Sequence, residues 1–203
     1  MLLDGGVAPY ARYFLVSLFC YNGREEEFMK SKGYLSKGAL RRMMLLSMLV
    51  AAGVVLSPIL RVPGMAPMQH FINVICAVLL GPWYALACAV LIAILRMFLL
   101  GINLLAVTGA VFGAVASGYA YRWTNKIWGA VLGEIVGTGV IGAMLSYPVM
   151  AFIYGHGDVV LFTYVPSFIL GTVIGGLVAM IFLRFLERQE ILQNLQKRLW
   201  EDY

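Results

Sequence analysis

The sequence predicts an all-α integral membrane protein, a bundle of six transmembrane helices. Apolar residues make up 62% of the 203 residues and charged residues only 12%, whereas a soluble domain is usually about half apolar and a quarter charged. The apolar residues also fall into blocks of about 20, the length that crosses about 30 Å of hydrocarbon. Because six such blocks fill most of the chain, we expect no separate soluble domain.

Proline and glycine separate the six predicted helices. The first is predicted to stop at Pro58, and the second is short. The fifth is longer than a membrane crossing needs, and Pro148 is a predicted kink or stop within it. The predicted helices cover residues 40–57, 68–80, 83–100, 104–121, 127–154 and 159–183.

The chain divides into three parts, of which residues 40–183 are the predicted membrane domain. Residues 1–39 form a predicted N-terminal extension, because their apolar run is too short to span a membrane. We interpret Met29 as the start of the working protein, and an amphipathic cytoplasmic helix in this extension is the alternative. Residues 184–203 are charged and carry leucines on one helical face, which predicts a cytoplasmic amphipathic tail.

Lysine and arginine cluster at helix ends that share one side of the membrane if six helices cross it. These basic pairs are Arg41 with Arg42, Arg122 with Lys126, and Arg184 with Arg188. Such an excess marks cytoplasmic loops, so we expect both termini in the cytoplasm. The net charge of +5 is therefore a feature of a protein in a lipid bilayer. Because no long basic stretch with interleaved aromatic residues occurs, we expect no nucleic-acid partner.

Several kinds of chemistry lack their motifs in this sequence. No GxxxxGK[ST] loop occurs, so the chain does not hydrolyse ATP through that motif. No HExxH or GxSxG occurs either, and the three cysteines and two histidines show no metal-ligand spacing. We therefore expect no catalytic residues, no metal and no cofactor. Small residues recur every four positions in helices 4 to 6, which predicts close helix packing. Ser47 and Ala51 repeat that spacing on helix 1, where the partner is either another helix or another subunit.

Polar side chains inside the predicted spans are the candidates for a binding site, because such groups are costly in a membrane. Three of them open helix 2 at the predicted outer face, in one turn below a proline-rich loop. Arg96 and Glu134 differ in predicted depth by about 10 Å at 1.5 Å per residue, so whether they pair stays open. The alternatives are a structural ion pair and a pocket for a small, partly aromatic molecule. The candidates are Gln69, His70, Asn73, Arg96, Asn103, Glu134, Thr138 and Tyr147.

A series of segments resembles the ThiW family, whose members are substrate-binding S components of energy-coupling factor (ECF) vitamin transporters. In chain order they are 51–58 (AAGVVLSP), 67–73 (PMQHFIN), 77–85 (AVLLGPWYA), 133–139 (GEIVGTG) and 146–148 (SYP). The resemblance covers about residues 40–185 and leaves residues 1–28 without a counterpart.

The resemblance implies a six-helix S component in a prokaryotic plasma membrane that binds hydroxyethylthiazole, the thiazole precursor of thiamin, at its outer face. It also implies a membrane scaffold subunit and two cytoplasmic ATPases as partners. In S components an AxxxA motif on helix 1 contacts the scaffold, and here Ser47 replaces the first alanine while Ala51 keeps the second. The candidate polar residues would line the site, with Glu134 accepting a hydrogen bond from the ligand hydroxyl.

Three alternatives remain. The chain could be an S component for another vitamin such as thiamin, or a structural subunit that binds nothing. It could also be a small membrane enzyme that uses His70, Arg96 and Glu134. Their spread along the membrane normal argues against the enzyme, because catalysis needs its groups within a few ångströms of one another.

Overall fold

The computed structural model describes residues 37–59, 65–155 and 160–200, which form helices and short connections. The predicted extension lies outside these residues, except for Lys37, Gly38 and Ala39, which begin the first helix. In chain order the helices of the described residues are α1 (Lys37–Ile59), α2 (Pro67–Leu80), α3 (Pro82–Leu100), α4 (Leu105–Thr124), α5 (Ile127–Ile153), α6 (Val165–Arg188) and α7 (Ile191–Trp200).

Four of these helices are long and apolar enough to cross a membrane: α1, α3, α5 and α6. The prediction of an all-α membrane protein is therefore confirmed, and length and composition support four of the six predicted spans. The α4 helix has 20 residues, but its glycines, tyrosines and arginine lower its mean hydropathy. The α2 helix has only 14 residues. The α2 helix is buried along nearly its whole length and contacts all six other helices, so it is the central element of the bundle.

The helix boundaries follow the proline and glycine pattern, with differences in three helices. Helix α1 includes Pro58, where it was predicted to stop, and ends one residue later at Ile59. Helix α4 runs three residues beyond the predicted end and stops where Asn125 takes a left-handed conformation, with φ 51°. Helix α6 begins at Val165 rather than at 159, because Pro166 occupies its first turn, where a missing N–H costs nothing. It ends at Arg188 rather than at 183, so the first five residues of the predicted tail belong to this helix.

Pro148 does not stop α5, although the sequence allowed a kink or a stop there. Two stretches of α5 are π-helical, Gly137–Gly142 and Val149–Ile153, and the second follows the proline directly. Proline removes one backbone hydrogen bond from a helix interior, and α5 nevertheless continues for its full 27 residues.

Glycines set the distance between α4 and α5. A Cβ atom at Gly133 would lie 2.6 Å from the Ala116 carbonyl oxygen, and one at Gly137 would lie 2.7 Å from the Phe112 carbonyl oxygen. The predicted close packing through small residues is therefore observed, and the two backbones are in direct contact.

The C-terminal helix α7 packs across α1, α2 and α6 at one end of the bundle. Leu192 and Leu199 of the predicted apolar face are buried, while Leu195 is 36% exposed. The side-chain amide of Gln196 donates to the Val78 carbonyl oxygen at 2.8 Å and to the Tyr121 hydroxyl at 3.1 Å. We call this the α7 end of the bundle, and the opposite end, where α2 and α6 begin, the cavity end.

Candidate ligand-binding cavity

A cavity of about 450 Å³ opens at the cavity end, between the first turns of α2, α4 and α6 and the last turns of α3. This volume is in the range of small-molecule sites. Its wall is apolar along α4 and mixed elsewhere. The lining residues are Met65, Ala66, Gln69 and His70 at the start of α2, Arg96 of α3, Ile102 and Asn103 of the following turn, Leu105, Ala106, Gly109 and Ala110 of α4, and Thr163, Tyr164, Ser167 and Phe168 at the start of α6.

Two aromatic rings form the α6 wall of the cavity. Tyr164 and Phe168 are one helical turn apart, with ring centroids 6.1 Å apart and planes tilted by 42°. A Cβ atom at Gly109 would lie 2.9 Å from Phe168 Cε2, so the ring rests directly against the α4 backbone. The absence of a side chain at Gly109 therefore allows α6 to bring its aromatic residues to the cavity.

Gln69 and Arg96 form a buried polar pair in the wall. Arg96 Nη1 donates to Gln69 Oε1 at 2.7 Å, and the two residues are 3% and 2% exposed, respectively. Because the guanidinium is only a donor, this bond fixes which side of the Gln69 amide is oxygen. The Gln69 amide nitrogen is buried and has no acceptor among the described residues, so the cavity wall contains an oriented donor that lacks a hydrogen-bond partner.

A second polar cluster lies beside the cavity and meets it through His70. Glu134 Oε1 lies 2.9 Å from His70 Nδ1 and accepts hydrogen bonds from Asn73 Nδ2 at 3.1 Å and Thr138 Oγ1 at 3.3 Å. Asn73 Nδ2 also donates to the Ala110 carbonyl oxygen at 3.3 Å. Glu134, Asn73 and Thr138 are fully buried, and His70 is 7% exposed.

Glycines on α4 and α6 make room for this cluster. A Cβ atom at Gly113 would overlap the Thr138 hydroxyl and lie 2.9 Å from Glu134 Oε1. A Cβ atom at Gly175 would overlap the Pro67 carbonyl oxygen and lie 3.0 Å from His70 Cβ. The small-residue spacing that predicted close packing thus also positions the polar side chains.

The expectation that His70 and Glu134 lie far apart is wrong. Helix α2 is recessed in the bundle: at 1.5 Å per residue, its 14 residues reach about 21 Å from the α7 end. Counted from that end at the same rise, His70 lies at about 15 Å and Glu134 at about 10 Å. The residues are therefore close in depth, and their side chains bridge the remainder. Arg96, at about 21 Å by the same rise, bonds to Gln69 instead.

The other candidate residues take different positions. Asn103 lines the cavity, whereas Tyr147 is not part of its wall. Its neighbour Ser146 is buried, with its Oγ 2.8 Å from Thr108 Oγ1. On α1, Ser47 is buried and donates to the Met43 carbonyl oxygen at 2.9 Å, while Ala51 is exposed.

Sequence reasoning missed the contribution of α6. Tyr164, Ser167 and Phe168 lie at i, i+3 and i+4, so they share one face at the start of a helix. That spacing directly around Pro166 was the available signal. The predicted helix began at residue 159, so these three residues lay inside it and not at its first turn.

The site offers hydrogen bonds and an aromatic wall rather than a metal centre. Within residues 37–59, 65–155 and 160–200, no group of histidine, cysteine, aspartate and glutamate side chains could hold a metal ion. One oriented amide donor, one histidine edge and two aromatic rings suit a small polar heterocycle.

A comparison with known protein families gives a match that covers helices α2 to α6 and most of α1. The family model for ThiW, the thiamine-precursor transporter protein, matches residues 43–189, which include every wall of the cavity. No curated protein and no solved structure matches the chain. The enzyme interpretation is wrong, because ThiW proteins are transporter components. The chain belongs to the ThiW family of thiamine-precursor transporters.

Proposed function

We propose that this protein is the substrate-binding S component of an ECF-type transporter and that hydroxyethylthiazole binds in the cavity at the cavity end. The observation that carries the proposal is the pairing of an oriented amide donor, Gln69 Nε2, with the aromatic wall of Tyr164 and Phe168 in one cavity. A thiazole has a flat aromatic ring and a ring nitrogen that accepts one hydrogen bond, so the two features match its two properties.

The charge distribution supports a cavity that opens outward. Arg41, Arg42, Arg122, Lys126 and Arg188 all lie at the α7 end. The positive-inside rule therefore favours a cytoplasmic α7 end, with both termini inside and six crossings in all. In this arrangement α4, about 30 Å long at 1.5 Å per residue, crosses the membrane. The shorter α2 needs no lipid match, because other helices surround it.

Energy for uptake has to come from partners. The sequence has no GxxxxGK[ST] loop, so a scaffold subunit and two cytoplasmic ATPases would supply ATP hydrolysis. Helix α1 offers a surface for the scaffold, since Met48 is 68% exposed, Val55 is 60% exposed and Ala51 lies between them. We place the scaffold contact on this face, with Ser47 at its buried edge.

Titration of the purified full-length protein in lipid nanodiscs tests the ligand. We expect hydroxyethylthiazole to bind and to raise the unfolding temperature, while the pyrimidine precursor of thiamin and riboflavin do not. Binding of intact thiamin in preference to the thiazole would move the assignment to an S component for thiamin. Failure of all four compounds to bind would contradict the proposal.

Gln69→Glu is the sharpest variant, because it keeps an oxygen for Arg96 while an acceptor oxygen and a negative charge replace the amide donor. Loss of one buried hydrogen bond costs roughly 1–3 kcal/mol, so we expect affinity for hydroxyethylthiazole to fall about 5- to 150-fold. Gln193→Glu makes the same chemical change at an exposed position of α7 and should leave affinity unchanged. Equal affinities of the two variants would exclude Gln69 from the site.

A further inference from the structure

The position of the Asn73 amide fixes the hydrogen-bond directions around Glu134. Asn73 Nδ2 lies 3.3 Å from the Ala110 carbonyl oxygen, which can only accept, so the nitrogen of the amide faces this side. The same nitrogen donates to Glu134 Oε1 at 3.1 Å. The Asn73 amide therefore offers Glu134 a donor and not an acceptor.

Glu134 Oε1 consequently acts as an acceptor toward its neighbours. The Thr138 hydroxyl donates to it from one turn along α5, and His70 Nδ1 lies at 2.9 Å. A carboxylate oxygen accepts several hydrogen bonds at once, and a third donor completes this set. The proton between His70 and Glu134 thus belongs on His70 Nδ1.

We infer that Glu134 is a positioning residue that holds His70 as the neutral Nδ1–H tautomer, so that His70 Nε2 accepts a hydrogen bond from the hydroxyl of a bound alcohol. In a neutral imidazole one nitrogen donates and the other accepts, and the bond made by one nitrogen sets the state of the other. His70 lines the cavity while its Nδ1 is engaged with Glu134, so the edge that carries Nε2 serves the ligand.

The adjacent residues Gln69 and His70 then recognise a hydrogen-bond acceptor and a hydrogen-bond donor of the ligand, respectively. Arg96 holds Gln69 so that its amide nitrogen donates, and Glu134 holds His70 so that its Nε2 accepts. The site therefore selects a neutral ligand with one ring acceptor and one free hydroxyl, and it binds the corresponding methyl ether, which has no hydroxyl proton to donate, less tightly. The identity of the alcohol rests on the proposed function, whereas the tautomer of His70 does not.

Nitrogen NMR of the ligand-free protein tests the tautomer directly. The chain has two histidines, so ¹⁵N-histidine labelling with a His156→Gln variant leaves the ring nitrogens of His70 alone. We expect a protonated Nδ1 and an unprotonated Nε2, whose ¹⁵N shifts are well separated. An Nε2–H tautomer or a doubly protonated ring would overturn the inference, whether or not hydroxyethylthiazole binds.

Ligand discrimination tests the consequence. The wild-type protein should bind hydroxyethylthiazole roughly 10- to 100-fold more tightly than its methyl ether, since the ether leaves His70 Nε2 unpaired. Glu134→Gln keeps an oxygen at the Oε1 position and should retain both the tautomer and the preference. Glu134→Leu removes the acceptor and should abolish the preference.

Two outcomes would refute the role of Glu134. One is that the wild-type protein binds the alcohol but binds the ether equally tightly. The other is a Glu134→Leu variant that keeps the full preference. If that variant does not fold, the wild-type comparison and the Glu134→Gln spectrum still decide the question. Absence of any thiazole binding would contradict the proposed function and leave the tautomer measurement intact.

Discussion

Gly175→Ala is the substitution that most directly tests how α6 is seated on the cavity. The added Cβ atom would overlap the Pro67 carbonyl oxygen and lie 3.0 Å from His70 Cβ and 3.1 Å from the Phe71 backbone nitrogen. Two of these three neighbours are backbone atoms at the start of α2, which cannot rotate away as a side chain can. The first turn of α2 and α6 therefore have to separate.

The size of the effect follows from two opposing terms. Overpacking a close contact costs about 1–3 kcal/mol, and replacing glycine by alanine within a helix returns about 1 kcal/mol. With backbone atoms in the overlap we take the upper value, so the net loss is about 2 kcal/mol. For a chain of this size that lowers the unfolding temperature by roughly 4–8 °C. A gap of about 0.5–1 Å also forfeits a quarter to a half of the dispersion attraction across it.

Because Tyr164 and Phe168 move with α6, ligand affinity should fall together with stability. We expect about a tenfold loss of thiazole affinity, equivalent to about 1.4 kcal/mol, measured by titration in nanodiscs beside a thermal unfolding curve. Gly176→Ala is the matched control, since a Cβ atom added there would meet a methyl group of the Val131 side chain on α5, 2.8 Å away, instead of backbone atoms. A Gly175→Ala protein with unchanged affinity and unfolding temperature would show that α6 is not seated as described.

Two further substitutions test the two ends of the bundle independently. Phe168→Ala removes an aromatic contact worth about 0.5–1.5 kcal/mol, so titration should show affinity about 2- to 10-fold weaker, while Phe162→Ala, an exposed ring outside the cavity, should have no effect. Trp200→Ala removes the ring that lies 4.6 Å from the Arg42 guanidinium at the α7 end. A cation–π contact of about 1–2 kcal/mol predicts an unfolding temperature lower by roughly 2–8 °C, with affinity unchanged because the cavity is at the other end.

The sequence predicted those features that depend on one helix at a time. Helices α2 and α3 were bounded nearly to the residue, because Pro67, Gly81 and Pro82 interrupt the apolar pattern. The polar turn of Gln69 and His70 was a candidate for a binding pocket, since such groups are costly in an apolar span. Both inferences need only composition and spacing.

Features that depend on contacts between neighbouring helices could not be predicted from the sequence. Hydropathy does not determine how each helix is rotated about its axis relative to its neighbours. It therefore could not show that Glu134 of α5 contacts His70 of α2 rather than Arg96 of α3. The recession of α2 follows from its short length, but only once its end is aligned with the start of α5. The aromatic wall of α6 depended on a helix start that Pro166 displaced by six residues.

The cost of burying Glu134 argues that its cluster serves the cavity and not only the fold. A carboxylate in an apolar interior loses its hydration, and exchanging buried ionic groups for well-packed apolar ones is often neutral or stabilising. Packing alone therefore does not account for a glutamate at the centre of this bundle. Its contacts supply the missing reason, because Oε1 accepts from Asn73 and Thr138 and faces the one cluster member that reaches the cavity, His70. The carboxylate contributes by fixing the histidine that lines the cavity.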